Sequence, residues 1–193
     1  MGPFTAVTFL VALAHEAPVV YAQDPNRIAV IAVAAERAQS EILPQWERHA
    51  RLLGAGIIVA ALSESRLDAS VHAGSRRGLQ GEICLTQIHP INASWRTYAP
   101  SFEALAGIDI ESTSWCLATG ARTLMSMDRR CHMNGYRSHW LASMWTAYQF
   151  GGRCRPSDEG RKRASLTNRI AWTDWRATPD QVRLIETTRK QSP

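Results

Sequence analysis

Nearly every residue from Leu52 to Leu62 is apolar or glycine, and this run constrains the fold more than any other feature. Pro44 interrupts the chain ahead of it, and residues 45–65 read as one helix with a polar first half and an apolar second half. A helix that is apolar on every side is buried on every side. Because Glu64 directly follows the run, we expect this helix to carry a carboxylate from the core to the edge of a cavity.

Further helices are predicted on both sides of this run. Asp24-Pro25 is a cap followed by proline at the first helical position, and Thr178, Pro179 and Gln181 form a second start signal of the capping-box type. Apolar residues then recur at helical spacing in three places. They are Ile28, Ile31, Ala32 and Ala35; Trp115, Ala118, Ala121, Leu124 and Met125; and Trp140, Leu141, Met144, Trp145 and Tyr148.

One segment, residues 68–92, has a different character. It is rich in glycine, serine and polar residues, with short apolar pairs such as Ile83 and Leu85. This pattern predicts a small β-hairpin or irregular strands. The chain is therefore expected to be mainly α, with a small β region after the helix that ends at Glu64.

Size and charge restrict the number of domains and the class of partner. A chain of 193 residues, 45% hydrophobic and 20% charged, fits one compact domain. Its net charge of +5 suggests an acidic partner: nucleic acid, a membrane surface or an anionic cell wall. No apolar run reaches the roughly 18 residues that span a bilayer. The densest basic cluster is expected to be a solvated loop and comprises Arg153, Arg155, Arg161, Lys162 and Arg163.

The four cysteines are Cys84, Cys116, Cys131 and Cys154. They form no CxxC pair and have no regularly spaced histidine beside them, which argues against a structural zinc site. Their even number allows one or two disulfides, as expected outside the cytosol, or four buried thiols.

The N-terminus allows two interpretations. Residues 4–14 form an apolar run of signal-peptide length, and Val20-Tyr21-Ala22 resembles a cleavage site. No lysine or arginine precedes the run, whereas a signal peptide has a basic leader. This favours an uncleaved N-terminal helix.

Three segments carry the most specific pattern. In order they are residues 64–68 (Glu-Ser-Arg-Leu-Asp), 81–88 (Gly-Glu-Ile-Cys-Leu-Thr-Gln-Ile) and 147–152 (Ala-Tyr-Gln-Phe-Gly-Gly). Together they resemble the lytic transglycosylase and goose-type lysozyme family, in which a helix ends in Glu-Ser, a Gly-Leu-x-Gln-Ile-like motif follows, and an Ala-Tyr-Asn-x-Gly-like motif closes the cleft. The resemblance is strongest over residues 53–88 and weaker over 141–154.

The resemblance implies a fold, a substrate and a set of site residues. It implies a lysozyme-like α+β domain over residues 45–193, with residues 1–44 as a helical segment packed on it and 1–22 signal-like. The implied substrate is the peptidoglycan glycan strand, cleaved without a metal or organic cofactor. Glu64 would be the catalytic acid, and the expected substrate-binding residues are Ser65, Glu82, Gln87, Tyr148 and Gln149.

Two residues depart from the family pattern. Cys84 stands where glycine usually precedes the Leu-x-Gln, and cysteine adopts fewer backbone conformations than glycine. Gln149 replaces the usual asparagine and keeps its amide on a longer arm.

The chemistry of Glu64 can also be argued without the resemblance. Glycosidic cleavage needs a carboxylic acid that is still protonated near neutral pH, and desolvation at an apolar helix end raises the pKa of a carboxyl group. An inverting hydrolase also needs a second carboxylate about 6.5–9.5 Å away, for which Glu82 and Asp68 are the candidates. Since neither is persuasive as a base, the transglycosylase outcome, with a 1,6-anhydro product, is favoured over a hydrolytic muramidase.

Two other classes of function remain as alternatives. One is a non-catalytic cell-wall or assembly module with the same fold, which the departure at Cys84 favours. The other is a helical nucleic-acid-binding protein, which the charge suggests but which lacks a recognition helix or an aromatic-basic stacking pattern. A wall-cleaving enzyme would act outside the cytoplasmic membrane, either secreted or delivered with a phage particle or secretion assembly.

Overall fold

The computed structural model of this chain describes residues 2–45, 49–79, 81–88, 101 and 103–191. These residues form nine α-helices and two 3-10 turns, so the mainly α class is confirmed. The helices are α1 (Ala6–Glu16), α2 (Pro18–Gln23), α3 (Pro25–Ile42), α4 (Ala50–Ser65), α5 (Ala69–His72), α6 (Ile110–Met133), α7 (Trp140–Gln149), α8 (Asp158–Trp172) and α9 (Pro179–Lys190). The 3-10 turns are Leu43–Gln45 and Glu103–Leu105.

Helix α4 is the buried helix that its composition predicts, although it begins at Ala50 rather than near residue 45. It contacts α1, α3, α6 and α8. Leu53, Ile57 and Ile58 are each at most 2% exposed. Burying an aliphatic side chain of this size stabilises the fold by about 1.5–3 kcal/mol, so α4 is held by its neighbours on several sides.

The end of α4 sets the position of Glu64. Arg66 and Leu67 both have left-handed backbone conformations, with φ of 53° and 56°. The Arg66 amide donates to the carbonyl of Leu62 at 3.1 Å, which closes the last turn of the helix. Leu67 is fully buried and anchors the reversed chain. The chain therefore turns away immediately after the helix and leaves Glu64 on its final turn.

The N-terminal helices pack on the rest of the protein through α3, which contacts α1 and α6. The predicted start of α3 is confirmed, because the Asp24 side chain accepts a hydrogen bond from the Arg27 amide at 3.0 Å and Pro25 opens the helix. The buried Gln39 side chain donates to the Phe4 carbonyl at 2.9 Å and so ties α3 to the residues before α1.

The β-hairpin expected within residues 68–92 is wrong for the part of that range that the structure describes. Residues 69–72 form α5, and no strand occurs among the described residues. Ile83 and Ile88 exchange two backbone hydrogen bonds, of 3.2 and 2.9 Å, in a single isolated bridge. Between them Cys84 and Gln87 have positive φ, which closes the chain into a tight turn and prevents an extended strand. Residues 89–92 lie outside the described residues.

All four cysteines are in disulfides, so the alternative of four buried thiols is wrong. Cys84–Cys116 joins the turn of residues 83–88 to α6, and Cys131–Cys154 joins the end of α6 to the segment after α7. In the chain-entropy description, loops of 32 and 23 residues correspond to about 3–4 kcal/mol of stabilisation each.

The basic cluster expected in a solvated loop lies partly on a helix. Its members Arg161, Lys162 and Arg163 belong to α8, which begins where the Ser157 hydroxyl accepts a hydrogen bond from the Gly160 amide at 3.0 Å. The Arg163 side chain is only 8% exposed. The loop prediction was wrong for these three residues because the glycine and proline before α8 were taken as loop signals. The start of the helix is marked by a serine cap and two acidic residues.

The C-terminal helix α9 begins as predicted. Thr178 and Gln181 form a reciprocal capping box with Pro179 in the first turn. Within the described ranges, no helix is both long enough and apolar enough to cross a bilayer.

Candidate active site

A cleft of about 1200 Å³ lies beside the C-terminal end of α4. Its walls include Glu64 and Ser65 from α4, Asp68 from the segment that follows, and Gln87 from the turn of residues 83–88. Arg27, near the start of α3, lines another part of the wall. The fold thus brings together residues that the sequence analysis took from two separate motifs.

Glu64 is paired with a buried cation. Its Oε1 lies 2.5 Å from Nη1 of Arg163, and the Glu64 side chain is 22% exposed. Nε of Arg163 also lies 3.4 Å from the Glu159 carboxylate, and its guanidinium lies 5.9 Å from the ring centre of Trp145. The surroundings of Glu64 therefore include a charged partner, whereas the sequence predicted an apolar site.

Arg163 is a site residue that the sequence analysis missed, because it was assigned to a loop. A usable signal was present in the chain. Ser157-Asp158-Glu159 is a helix-start pattern, and Glu159 stands four residues before Arg163. Extending the helix through this region would have placed Arg163 on a helical face, although only the fold pairs it with Glu64.

Ser65 lines the cleft but uses its hydroxyl locally. The hydroxyl donates to the Ala61 carbonyl at 2.7 Å and accepts a hydrogen bond from the Leu67 amide at 3.2 Å. The residue is 7% exposed. These contacts fix the end of α4 beneath Glu64.

Gln87 is carried into the cleft by the turn of residues 83–88. Its φ is 50°, and its Nε2 donates to the Cys84 carbonyl at 3.2 Å. Cys84, where the resemblance leads us to expect glycine, has a φ of 62°. This left-handed conformation is one that glycine adopts readily, and here the disulfide to Cys116 holds a cysteine in it.

Tyr148 lies behind this turn and is not among the described residues that line the cleft. Its hydroxyl donates to the Thr86 carbonyl at 3.0 Å, and its ring packs edge-on against Trp145. Burial, together with the negative charge of nearby Glu64, raises the pKa of Tyr148 well above its usual value. Tyr148 therefore stays protonated and donates a hydrogen bond to the turn that carries Gln87.

Gln149, the last residue of α7, follows Tyr148 and has an exposed side chain. It is also absent from the described lining of the cleft.

Asp68, one of the two candidate second carboxylates, is engaged as a helix cap. It accepts hydrogen bonds from the Ser70 hydroxyl and from the amides of Ser70 and Val71, and it lies 3.3 Å from Arg76. These contacts, the Ser70 hydroxyl foremost, keep the pKa of Asp68 below its usual value. A base that activates water works best with a pKa near the working pH, so Asp68 is poorly suited to that role.

Glu82, the other candidate, has its side chain close to Gly78, as does Gln87. A Cβ atom added to Gly78 would collide with the Glu82 carboxylate and would lie 2.7 Å from Oε1 of Gln87. The Glu82 side chain is therefore close to the cleft wall that Gln87 forms.

No family of known proteins, no curated protein sequence and no solved structure matches this chain.

Proposed function

We propose that this protein cleaves the β-1,4 bond between N-acetylmuramic acid and N-acetylglucosamine in peptidoglycan, with Glu64 as its acid and base. The observation that carries the proposal is the position of Glu64. It stands at the end of a buried helix, faces an open cleft, and shares that cleft with Gln87. A carboxyl group and an amide on the walls of one cleft can respectively transfer a proton to a glycosidic oxygen and hydrogen-bond a sugar.

The shape of the cleft supports a polymeric substrate. Its volume of about 1200 Å³ exceeds that of typical small-molecule pockets, which measure about 300–1,000 Å³. A volume of this size is compatible with a ligand of more than one sugar ring.

The backbone of Cys84 supports the resemblance at the position where the sequence departs from the family pattern. A glycine is expected there, and Cys84 has the left-handed backbone that glycine favours. The turn geometry that the motif implies is thus compatible with the cysteine.

In the proposed reaction, protonated Glu64 gives its proton to the leaving glycosidic oxygen as the bond to the muramic acid C1 breaks. The resulting carboxylate then accepts the proton of the muramic acid C6 hydroxyl while that oxygen bonds to C1. The Arg163 ion pair suits the second step, since it stabilises the carboxylate. The first step requires substrate to weaken that pair, because Glu64 must carry a proton when the bond breaks.

A second candidate function is a cell-wall binding module without catalysis. The observation that favours it is the same ion pair, because a carboxylate held 2.5 Å from a buried arginine is a stable structural contact. Such a module would bind murein and release no fragments.

Release of soluble fragments from purified murein tests the proposal. We expect the wild-type protein to release muropeptides and the Glu64→Gln variant to release almost none, because the amide is nearly isosteric but has no acidic proton. Glu82→Gln is the comparison variant, since it neutralises a second carboxylate beside the same cleft, and a loss as large as that of Glu64→Gln would favour a two-carboxylate hydrolytic mechanism. Substantial release by folded Glu64→Gln protein would refute the role of Glu64.

The proposed substrate places the site of action outside the cytoplasmic membrane. The two disulfides support this location, because disulfides persist in oxidising compartments. Secretion, or delivery with a phage particle or secretion assembly, would bring the protein to the wall.

A further inference from the structure

Arginines dominate the charged residues of the cleft wall. Among the described residues, its charged lining comprises two carboxylates, Glu64 and Asp68, and four arginines, which are Arg27, Arg66, Arg76 and Arg77. Both of these carboxylates already face a cation, since Glu64 pairs with Arg163 and Asp68 lies 3.3 Å from Arg76. With Glu82 beside the wall included, the described arginines still outnumber the carboxylates.

Arg66 and Arg77 are the exposed arginines of the described cleft wall that have no carboxylate partner. Both are exposed, both line the cleft, and neither makes an ion pair with any residue in the described part of the chain. Arg66 follows Glu64 by two positions, on the left-handed residue that ends α4. A group bound by this guanidinium would therefore lie close to the proposed site of bond cleavage.

Arg27 adds a less screened charge to the same wall. Its side chain is 11% exposed, and its nearest carboxylate oxygen, on Asp24, is 3.5 Å from its Nε. Its Nε and Nη1 are buried without a hydrogen-bond partner among the described residues. Asp24 offsets part of this charge, which leaves Arg66 and Arg77 as the arginines of the described wall that have no ion-pair partner among the described residues.

We propose that the cleft selects glycan strands by a carboxylate carried on the muramic acid, bound by Arg66 and Arg77. Guanidinium groups match the planar geometry of a carboxylate and bind it through two parallel hydrogen bonds. Two parts of the substrate offer this group. They are the lactyl carboxylate of strands without peptides and the carboxylates of the peptide stems.

This inference rests on the proposed function for the identity of the ligand, and it is tested by binding rather than cleavage. The probe protein is the full chain with Glu64→Gln, so that ligands stay intact during calorimetric titration. Three tetrasaccharides with the same sugar sequence serve as ligands: one with free lactyl carboxylates, one with the corresponding lactyl amides, and one with tetrapeptide stems. The amide is the neutral match of the first ligand and differs from it only in charge.

We expect at least one acidic ligand to bind about tenfold more tightly than the amide at about 0.05 M salt, and this advantage to shrink at about 0.3 M. Adding Arg66→Gln and Arg77→Gln should remove the advantage and leave the affinity for the amide unchanged. The matched control is Arg153→Gln with Arg155→Gln, two exposed arginines outside the described lining, which should keep it. The ligand that shows the advantage identifies which carboxylate is bound.

Equal affinity for all three ligands, an advantage that survives in the Arg66/Arg77 variant, or no binding at all would overturn the inference. Cleavage by the wild-type protein is scored separately on purified murein. Charge-dependent binding without cleavage would refute the proposed function alone. Cleavage without charge-dependent binding would refute this inference alone.

Discussion

Among single side chains, Glu64 is positioned by two structural features. It stands on the last turn of the buried helix α4, and its Oε1 lies 2.5 Å from Nη1 of Arg163. The residues around Arg163 hold it in place, since Glu159 pairs with its Nε and Trp145 faces its guanidinium. In the proposed reaction, substrate must reposition this ion pair before Glu64 can donate a proton, so binding and cleavage depend on different features of the site.

Gln87 and Tyr148 should respond differently to substitution. Gln87→Ala removes a cleft side chain whose hydrogen bond goes to its own turn, so we expect about tenfold or greater loss of murein cleavage and little change in melting temperature.

Tyr148→Phe leaves the Thr86 carbonyl without this donor, which should cost about 1–3 kcal/mol and lower the melting temperature by about 3–8 °C. Turnover and thermal unfolding on the same samples check both expectations. The reverse ranking would move Gln87 to a structural role.

His72 should make stability depend on pH. It is 1% exposed, and its Nε2 lies 2.7 Å from the Thr113 hydroxyl. Burial, followed by the charge of Arg27, lowers the pKa of His72 from 6.5 to about 4. The unfolded chain therefore takes up this proton at a higher pH than the folded protein, so stability present above pH 6.5 is lost as the pH falls towards 4.

By about pH 5 this loss should reach about 2 kcal/mol. Urea unfolding of the wild-type protein and of His72→Gln at about pH 7.5 and 5 measures it, since the glutamine does not titrate. The wild-type protein should lose about 2 kcal/mol more than the variant between these two pH values. Equal losses would show that His72 is not the group responsible.

Among the elements, the turn of residues 83–88 depends on contacts with α6. Cys84 is bonded to Cys116, the Thr86 hydroxyl donates to the Cys116 carbonyl at 3.1 Å, and a Cβ on Gly120 would collide with the Thr86 side chain. Because this turn carries Gln87, the Cys84–Cys116 disulfide positions a wall of the cleft. The Cys131–Cys154 disulfide instead closes a loop that runs from the end of α6 through α7 to the segment after it.

Removing each disulfide separates these roles. Both double Cys→Ala variants should lose about 3–4 kcal/mol of stability. At a temperature where both stay folded, Cys84→Ala/Cys116→Ala should reduce murein cleavage about tenfold or more, whereas Cys131→Ala/Cys154→Ala should change it little. Turbidity clearing, with circular dichroism to confirm folding, gives the comparison. Similar activity in the two variants would contradict the positioning role of the first disulfide.

Elements with local signals were predictable from the sequence, and elements set by distant contacts were not. Asp24 and Thr178 are helix caps that depend on residues only three positions away, and both helix starts were found. The turn of residues 83–88 takes its shape from positive backbone angles and from a disulfide across 32 residues, which short apolar pairs in a polar segment do not encode. Those apolar pairs therefore suggested a hairpin where one bridge forms.

At the scale of the whole molecule, the same distinction between local signals and distant contacts applies to the residues of the site. Glu64 and Gln87, which both come from the region where the resemblance is strongest, line one cleft. The partner of Glu64, Arg163, is 99 residues away on α8, which was predicted as a loop because glycine and proline precede it. No periodic pattern links the two, so their pairing is visible only once α4 and α8 are packed together.

The chemical nature of the cleavage product depends on all the groups of the cleft together. A hydrolase needs a base to activate water, but the hydrogen bonds to Asp68 keep its pKa below the usual value, which weakens it as a base. Glu82 is then the remaining candidate base. Provided that it does not activate water, the C6 hydroxyl of the muramic acid, held beside the reacting carbon at a high effective concentration, should trap the intermediate.

We therefore expect products that end in 1,6-anhydromuramic acid, which are lighter than hydrolytic products by one water and resist borohydride reduction. Mass spectrometry of digested peptidoglycan, with and without borohydride, distinguishes the two outcomes. Asp68→Asn and Glu82→Gln digests provide the control, since neither should change the product ratio if water is not activated. Predominantly reducing products from the wild-type protein would leave Glu64 as the acid. The base would then be Asp68 or Glu82, according to which substitution abolishes the reducing products.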